Sequence, residues 1–434
     1  MSLPVAAIDA SFFAVESETT RQTIAAFCPL ESAPSLESVR ETALRLSTLL
    51  PRLRQRLSAD GELWEDSPDF DLSAHIEVVE SPELLDRTEL QGLASRIFSQ
   101  GLDLSKPLWK LVFISSRGSA TRNTDSPPIY GLLYMIHHGF VDGMGALSLL
   151  HAFCSDSATA MPADPRASKE ISESDGLGFK RWRSALKLIR ESLTTVTPSA
   201  VNGRNSAVRQ IATLDLPLSE LKELKTALGG SINDILLTLV SSALRALHKQ
   251  KRLPLLDLRV IMPVSLRRPA ALFALGNHLT GVGIRLPLRH ENPLARLTAV
   301  KSYVDRIKRD GSFGAYALLG RLQASLPVWL QARLCNAAAR RNHFICTNMT
   351  GPRREQFIGG AKILGEYGAP ALLPNQGIAY SFISYADKLC LSIVSDPNVV
   401  ADPRQLIDFT LQGFQELQQL SSAEQSDYRA QQVA

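Results

Sequence analysis

The chain has 434 residues, 45% hydrophobic and 21% charged, enough for two domains with sizeable cores. Lys plus Arg number 47 against 43 Asp plus Glu, and the net charge of +4 argues against a nucleic-acid partner. The five scattered cysteines (Cys28, Cys154, Cys335, Cys346, Cys390) form no CxxC pair, which argues against a disulfide framework or a zinc site and fits reduced thiols in a cytoplasmic protein.

The first apolar stretch carries Asp9 and Glu16 and has no basic start, unlike a signal peptide. No apolar run reaches the roughly 18 residues of a spanning helix, so a soluble or peripheral protein is expected. Ile8-Asp9-Ala10-Ser11-Phe12-Phe13 reads as a strand or helix edge, followed by an apolar patch over 24–30. The spacing of Leu36, Val39, Ala43, Leu46 and Leu49 predicts a helix over 35–50, stopped by Pro51. Short strands are expected within 53–64 and 75–79, and a second amphipathic helix over 81–98. Pro107-Leu108-Trp109 then leads into a strand over 109–114, where Pro107 ends a loop and Trp109 anchors the core.

The most informative stretch is IYGLLYMIHHGFVDGMGALSLLHAF, residues 129–153. Its apolar run over 129–136 predicts a buried strand, and Met144, Leu147, Leu150 and His151 have helical spacing. His137 and His138 fall where the strand gives way to a loop, and Asp142-Gly143 opens the helix. An imidazole titrates near neutrality and accepts a proton from a hydroxyl that becomes a nucleophile, so the pattern points to general-base catalysis. Gly139 and Gly143 leave room for a substrate beside the backbone. Asp142 either orients the loop, pairs with a cation to hold His138, or merely caps the helix.

Residues 160–209, rich in Ser, Pro, Asp and Asn, read as a connection. Within it, 179–193 has helical spacing with five cations on one side and Trp182, Leu186 and Ile189 on another, a basic amphipathic helix suited to an anionic lipid surface or to packing on one domain. The second half opens with a strand over 210–216 and a helix over 218–228. A longer helix follows from Ser231-Ile232-Asn233-Asp234 to His248, its start resembling a capping box. Strands are expected over 259–264 and 282–288, the first running into Pro263-Val264-Ser265-Leu266-Arg267 and then Gly276-Asn277. A long apolar helix over 313–339, kinked or split at Pro327, precedes a strand over 344–352 carrying Asn348 and Gly351-Pro352. Strands over 376–384 and 389–394, turning at Asp387-Lys388, and a helix over 403–420 complete the chain.

HHGFVDG resembles the HHxxxDG active-site signature of the CoA-dependent acyltransferase superfamily, which includes chloramphenicol acetyltransferase and nonribosomal peptide condensation domains. The Asp9-Ala10 start, Pro107-Leu108-Trp109, Asn233-Asp234, the Pro-Val-Ser-x-Arg…Gly-Asn order and the Asn348 loop resemble its wax ester synthase/diacylglycerol acyltransferase branch. Two departures stand out: Met349-Thr350 replaces Val-Pro, and Ala379 or Tyr380 replaces an asparagine after Gln376-Gly377. The resemblance implies an α/β fold of two chloramphenicol-acetyltransferase-like domains, a pseudo-dimer with a central tunnel. Residues 1–160 would form the N-terminal domain, 161–210 the connection and 211–434 the C-terminal domain.

It further implies transfer of a fatty acyl group from acyl-CoA, as co-substrate, to the hydroxyl of a diacylglycerol or long-chain alcohol. His138 would be the general base, with Asp142, His137 and Gly143 in its loop. Gly139, Asn277, Asn348 and Gln376 are the expected substrate contacts; Arg267, Pro107, Trp109, Asn233 and Asp234 are expected to be structural. Arg267, or its neighbour Arg268, would pair with Asp142. No metal and no bound cofactor are expected, and the partners would be lipids, with contact at a membrane or lipid droplet. Two alternatives stay open: a condensation-type transferase using a carrier-protein thioester to form an ester or amide, and a catalytically silent lipid-binding protein.

Overall fold

The computed structural model describes residues 2–82, 85–116, 129–154, 196–197, 199–267, 275–310, 315–316, 318–319, 322–323 and 325–433, with side chains described to residue 422. The first half contributes β1 (Leu3–Pro4), α1 (Ala7–Ala14), β2 (Thr23–Leu30), α2 (Leu36–Leu49), β3 (Gln55–Leu57), β4 (Leu63–Asp66), β5 (Ile76–Ser81), α3 (Arg87–Gln100), β6 (Trp109–Ser116), β7 (Tyr130–His137) and α4 (Gly143–Cys154). The second contributes β8 (Gln210–Pro217), α5 (Leu218–Leu228), α6 (Ile232–Gln250), β9 (Leu258–Ser265), β10 (Leu279–Leu286), α7 (Pro293–Arg309), α8 (Val328–Arg340), β11 (Phe344–Thr350), β12 (Phe357–Ile358), β13 (Ala361–Lys362), β14 (Tyr367–Ala369), β15 (Ile378–Tyr385), β16 (Lys388–Ser395) and α9 (Arg404–Val433).

Two mixed sheets organise these elements. The first has the order β14-β2-β7-β6-β5 and the second β10-β9-β11-β15-β16-β8. The continuous apolar run of β7 places it at the centre of the first sheet, with Leu132 to His137 all buried. The buried residues form two clusters, one around the first sheet and one around the second, and the second sheet also sends Ile383 and Val394 into the first cluster, as an α/β architecture of two packed sheets requires. Yet β14, from far along the second half, pairs antiparallel with β2 and completes the first sheet. The halves are also joined by buried pairs: His151 on α4 meets both carboxylate oxygens of Glu366 at 2.9 and 3.0 Å.

Caps account for several helix starts. Ser35 accepts from the Ser38 N–H ahead of α2, and Ser231 with Asp234 forms the expected capping box of α6. The helix expected from residue 81 begins instead at Arg87, because Asp86 and Glu89 form a capping box there. β5 occupies the residues before it. Pro327 splits the apolar stretch over 313–339, and α8 begins immediately after it. Three features escaped the pattern reading: α7, begun by an Asn292 cap; the short β12–β14 strands; and the reversal at Ala386-Asp387, one residue earlier than expected, where Ala386 takes a φ of 50°. The basic segment over 179–193 lies outside the described residues.

β16 and the Ser395-Asp396 that follows it echo β7 and Asp142. Asp396 is buried and bonds Arg209 at 2.9 Å, as Asp142 bonds Arg267. Among the described residues no single helix is long and apolar enough to cross a membrane.

Candidate active site

β7 delivers His137 and His138 side by side, and strand alternation sends their rings to different surroundings. His137 is fully buried. Its ring stacks on Phe13 at 4.5 Å, Nδ1 accepts from the Gly139 N–H at 3.0 Å, and Nε2 faces Glu16 at 3.3 Å. His138 lines a cavity of about 1300 Å³ and stacks on Phe12 at 4.0 Å.

The second half fixes the His138 ring. Between β9 and β10, Gly276 adopts a φ of +91°, a conformation that costs little without a side chain, and its N–H donates to the Phe140 carbonyl at 2.9 Å. The next residue, Asn277, is buried and donates through Nδ2 to the His138 carbonyl (2.7 Å) and to Asp9 (2.8 Å). Those two acceptors orient the amide so that Oδ1 faces His138 Nδ1 at 2.9 Å. Nδ1 therefore carries the proton and Nε2 keeps its lone pair. Burial holds the His138 pKa below its ordinary value, with the Asp142 charge opposing, so the ring is neutral at pH 7.

Asp9, in the first turn of α1, is itself buried. Burial raises its pKa while the two bonds from Asn277 and the nearby Arg52 charge lower it. Burial also takes Arg52 down to about 10.

Asp142 does not reach into the chemistry. Its carboxylate accepts from Arg267 Nε at 2.9 and 3.1 Å, from the Gly145 N–H at 2.9 Å and from the His278 N–H at 2.8 Å. Arg267 spends another N–H on the Gly276 carbonyl at 2.6 Å. One buried ion pair thus holds the start of α4 and the Asn277 loop together. Arg267 is the partner of Asp142, and Arg268 lies outside the described residues. A side chain at Gly145 would run into Val141 and come within 2.6 Å of Arg267 Nη2, so only glycine fits there.

The cavity is lined from both sheets, by Ala25 and Ile136 of the first and Ile261, Ile284, Thr347 and Ile383 of the second. It exceeds the roughly 300–1,000 Å³ of ordinary small-molecule pockets, and most of its wall is apolar. Gly143, Asn233 and Asn348 also line it, and the two asparagine side chains lie 3.4 Å apart.

Five expectations change. His137 is packed in the interior, away from the cavity. Gly139 offers no room to a substrate, because a Cβ there would lie 2.5 Å from the Phe13 ring. Asn277 holds the histidine and is absent from the cavity wall. Gln376 is fully buried and donates to the Ala339 and Asn342 carbonyls at 3.2 and 3.3 Å, tying down the end of α8. Asn233, expected to be structural, faces the cavity, whereas Asp234 serves the α6 cap. Pro107 and Trp109 are buried; Trp109 donates to the Leu53 carbonyl at 2.8 Å and stacks on His75, far from the chemistry. Asp9, Phe12 and Gly145 were not legible as site residues. Asp9 and Asn277 stand 268 positions apart, and no local pattern marks their contact.

Two models of one family match the stretches of sequence that carry His138, Asp142 and Asn277. The wax ester synthase/diacylglycerol acyltransferase catalytic domain matches residues 5–190, and the C-terminal domain of the same family matches 275–418. The chain belongs to the wax ester synthase/diacylglycerol acyltransferase family. A Mycobacterium tuberculosis protein named "probable diacyglycerol O-acyltransferase tgs1" is 28% identical over 399 residues, covering 83% of this chain and 84% of its own. The solved wax ester synthase/diacylglycerol acyltransferase of Marinobacter aquaeolei VT8 shares the fold with a TM-score of 0.67 at 19% identity, over 96% of this chain and 99% of that one. A starter condensation domain of rhizomide synthetase, solved with C8-CoA, matches at a TM-score of 0.60 and 15% identity, over 97% and 95%. The family is thus an acyltransferase family, and the mixed-sheet α/β architecture agrees with the fold class that the HHxxxDG resemblance implied.

Proposed function

We propose that this chain transfers a fatty acyl group from acyl-CoA to the hydroxyl of a diacylglycerol or long-chain alcohol, with His138 as general base. The observation that carries the reading is the His138 ring itself: neutral, with Nδ1–H held by Asn277, and set in a large apolar cavity. Nε2 takes the acceptor's hydroxyl proton as the oxygen attacks the thioester carbonyl. The tetrahedral intermediate then collapses, the C–S bond breaks, and the imidazolium returns the proton to the departing thiolate. Asp142 and Arg267 hold the loop, and Asp9 holds Asn277. These three are positioning residues.

The apolar wall fits a long acyl chain, which a site for small polar acceptors does not need. The CoA donor is supported by the C8-CoA complex of the condensation-domain neighbour, and the lipid acceptor by the name of the mycobacterial relative.

The test is thiol release from palmitoyl-CoA by purified protein with hexadecanol or diacylglycerol added. Release that requires an acceptor and falls by about 100- to 10,000-fold in His138→Ala supports the reading. Release by the variant at the wild-type rate would overturn the role of the histidine. No release with either acceptor would turn attention to carrier-protein thioesters.

A further inference from the structure

Five residues in register form a belt across one level of the cavity wall. On the first sheet Tyr134 of β7 opposes Ala26 of β2, which in turn opposes Gly368 of β14. On the second sheet Ser381 of β15 opposes Thr347 of β11. Opposed residues project from the same face of a sheet, and all five line the cavity. Gly368 joins the two arcs: a Cβ there would lie 2.5 Å from Ser381 Oγ, so only glycine leaves that hydroxyl its place.

The belt carries three hydroxyls, and none of them has a hydrogen-bond partner among the described residues. Tyr134 is only 1% exposed and Ser381 is fully buried, so bulk solvent does not serve them. The row continues along the second sheet to Ser392 and Thr213, which lie off the cavity wall, and there the hydroxyls are satisfied. Ser392 donates to the Gly368 carbonyl, and Thr213 accepts from Gln91 Nε2 at 2.6 Å. Along this row the unpartnered hydroxyls are the ones that face the cavity. Nearer the histidine the wall is apolar, with Ile136 opposite Ile24, and Ile383 opposite Met349, whose sulfur lies beside Gly143. One step the other way, Leu132 and Cys28 lie off the wall, so the belt is the floor on the first sheet. Tyr134 precedes His138 by four residues, about 13 Å of extended strand.

We propose that this belt is a second recognition site within the cavity, taking a hydroxyl or carbonyl oxygen carried on a substrate chain at that distance from the atom reacting at His138. Ser, Thr and Tyr hydroxyls both donate and accept, so they serve either kind of oxygen. Burial pushes the Tyr134 phenol well above its ordinary pKa, which keeps it a neutral donor. The belt contains no cation, and a carboxylate would be desolvated there without a counter-charge. A plain hydrocarbon chain leaves the three hydroxyls unpaired, and such a site discriminates against the analogue that lacks their partner. The oxygenated chain belongs to the acyl donor or to the alcohol. That assignment rests on the function proposed above, whereas the affinity for oxygen does not.

Binding is tested by calorimetry on His138→Ala, which removes turnover, with 1,12-dodecanediol and 1-dodecanol as probes. Expected is a Kd about tenfold lower for the diol, the scale of one or two net hydrogen bonds. The substitutions Tyr134→Phe, Thr347→Val and Ser381→Ala, made together in that background, should abolish the preference and tighten binding of 1-dodecanol. Tyr134→Phe alone, which deletes one oxygen, carries the same test if the combined variant does not fold. Equal affinity for the two alcohols, or a preference that survives the substitutions, would overturn the inference. Turnover by the wild-type chain then assigns the source. A preference for 12-hydroxyoctadecanoyl-CoA over octadecanoyl-CoA, with 1-dodecanol as acceptor, places the oxygen on the donor. A preference for the diol over 1-dodecanol, with octadecanoyl-CoA, places it on the acceptor. Turnover without preference in either arm would overturn the belt as a substrate site. A binding preference without any turnover would support the belt and count against the transfer reaction instead.

Discussion

Asp9 grips Asn277 at two points: one carboxylate oxygen accepts both the backbone N–H and the Nδ2–H of Asn277, each at 2.8 Å. Because that oxygen occupies the NH₂ end of the amide, the other end is left to face His138. The N-terminal helix therefore selects the tautomer of a histidine on the central strand. Asp9→Ala frees the amide to rotate and offer NH₂ to Nδ1, which would favour the unproductive tautomer with the proton on Nε2. We expect kcat to fall by about 10- to 100-fold with little change in KM, the scale of a misplaced catalytic group. Steady-state kinetics on the purified variant checks this, and an equal fall in Asn277→Ala, without additivity in the double variant, would show one shared route.

The pH profile should report His138. The base must be unprotonated, and its pKa lies below the ordinary imidazole value because burial penalises the charged ring. kcat/KM should thus rise with pH along a limb whose midpoint falls below about 6.5 and be flat at neutrality. A midpoint above 7 would contradict the geometry.

Stability should follow pH in the same sense. Burial lowers the pKa of His75, His138, His248 and His343 in the native chain. Between those lowered values and the ordinary one near 6.5, the unfolded chain binds protons that the native chain refuses. Stability is then complete above about pH 6.5 and is lost as pH falls through that window, by up to about 1.4 kcal/mol per pH unit for each proton. Urea unfolding at pH 7.5, 6 and 5 measures the slope.

Removing one partner of the Asp142–Arg267 pair strands a buried charge. Arg267→Met should destabilise by about 3–5 kcal/mol. Asp142→Asn should also loosen the Gly145 and His278 amides. In urea, a double replacement that loses less than the sum of the two would confirm that the ions act as a pair.

Gly145→Ala should be worse than Gly143→Ala. A methyl at 145 meets Val141 and Arg267, whereas one at 143 lies 3.2 Å from the flexible Met349 side chain. Overpacking of a rigid site costs about 1–3 kcal/mol. Thermal unfolding of the two variants ranks them.

Much of this architecture was legible because it is local. The seven buried residues of β7, the Ser231–Asp234 cap and the helix start at Asp142 each declare themselves within a dozen positions. Arg267 as partner of Asp142 came from resemblance, and the geometry agrees. What periodicity could not reveal was which residue meets which across the halves. Gln376 and Asn277 look like polar substrate ligands in sequence. One instead anchors the end of α8 and the other anchors a ring, because buried amides must satisfy their hydrogen bonds wherever the fold leaves acceptors. Gly139 resembled an opening for substrate until Phe13, more than a hundred positions earlier, was found in that space. β14 escaped for the same reason: three residues carry no period, and only the vacant edge of β2 explains their conformation.

That borrowed strand makes the protein a single mechanical object. Residues 1–160 expressed alone would leave the β2 edge open to pairing with other chains, a route to aggregation. A chain nicked between residues 161 and 195 should instead remain one particle, because β14 and the His151–Glu366 pair clasp the pieces without the peptide between them. The two fragments, refolded together, should recover the enzyme, whereas neither fragment refolded separately should.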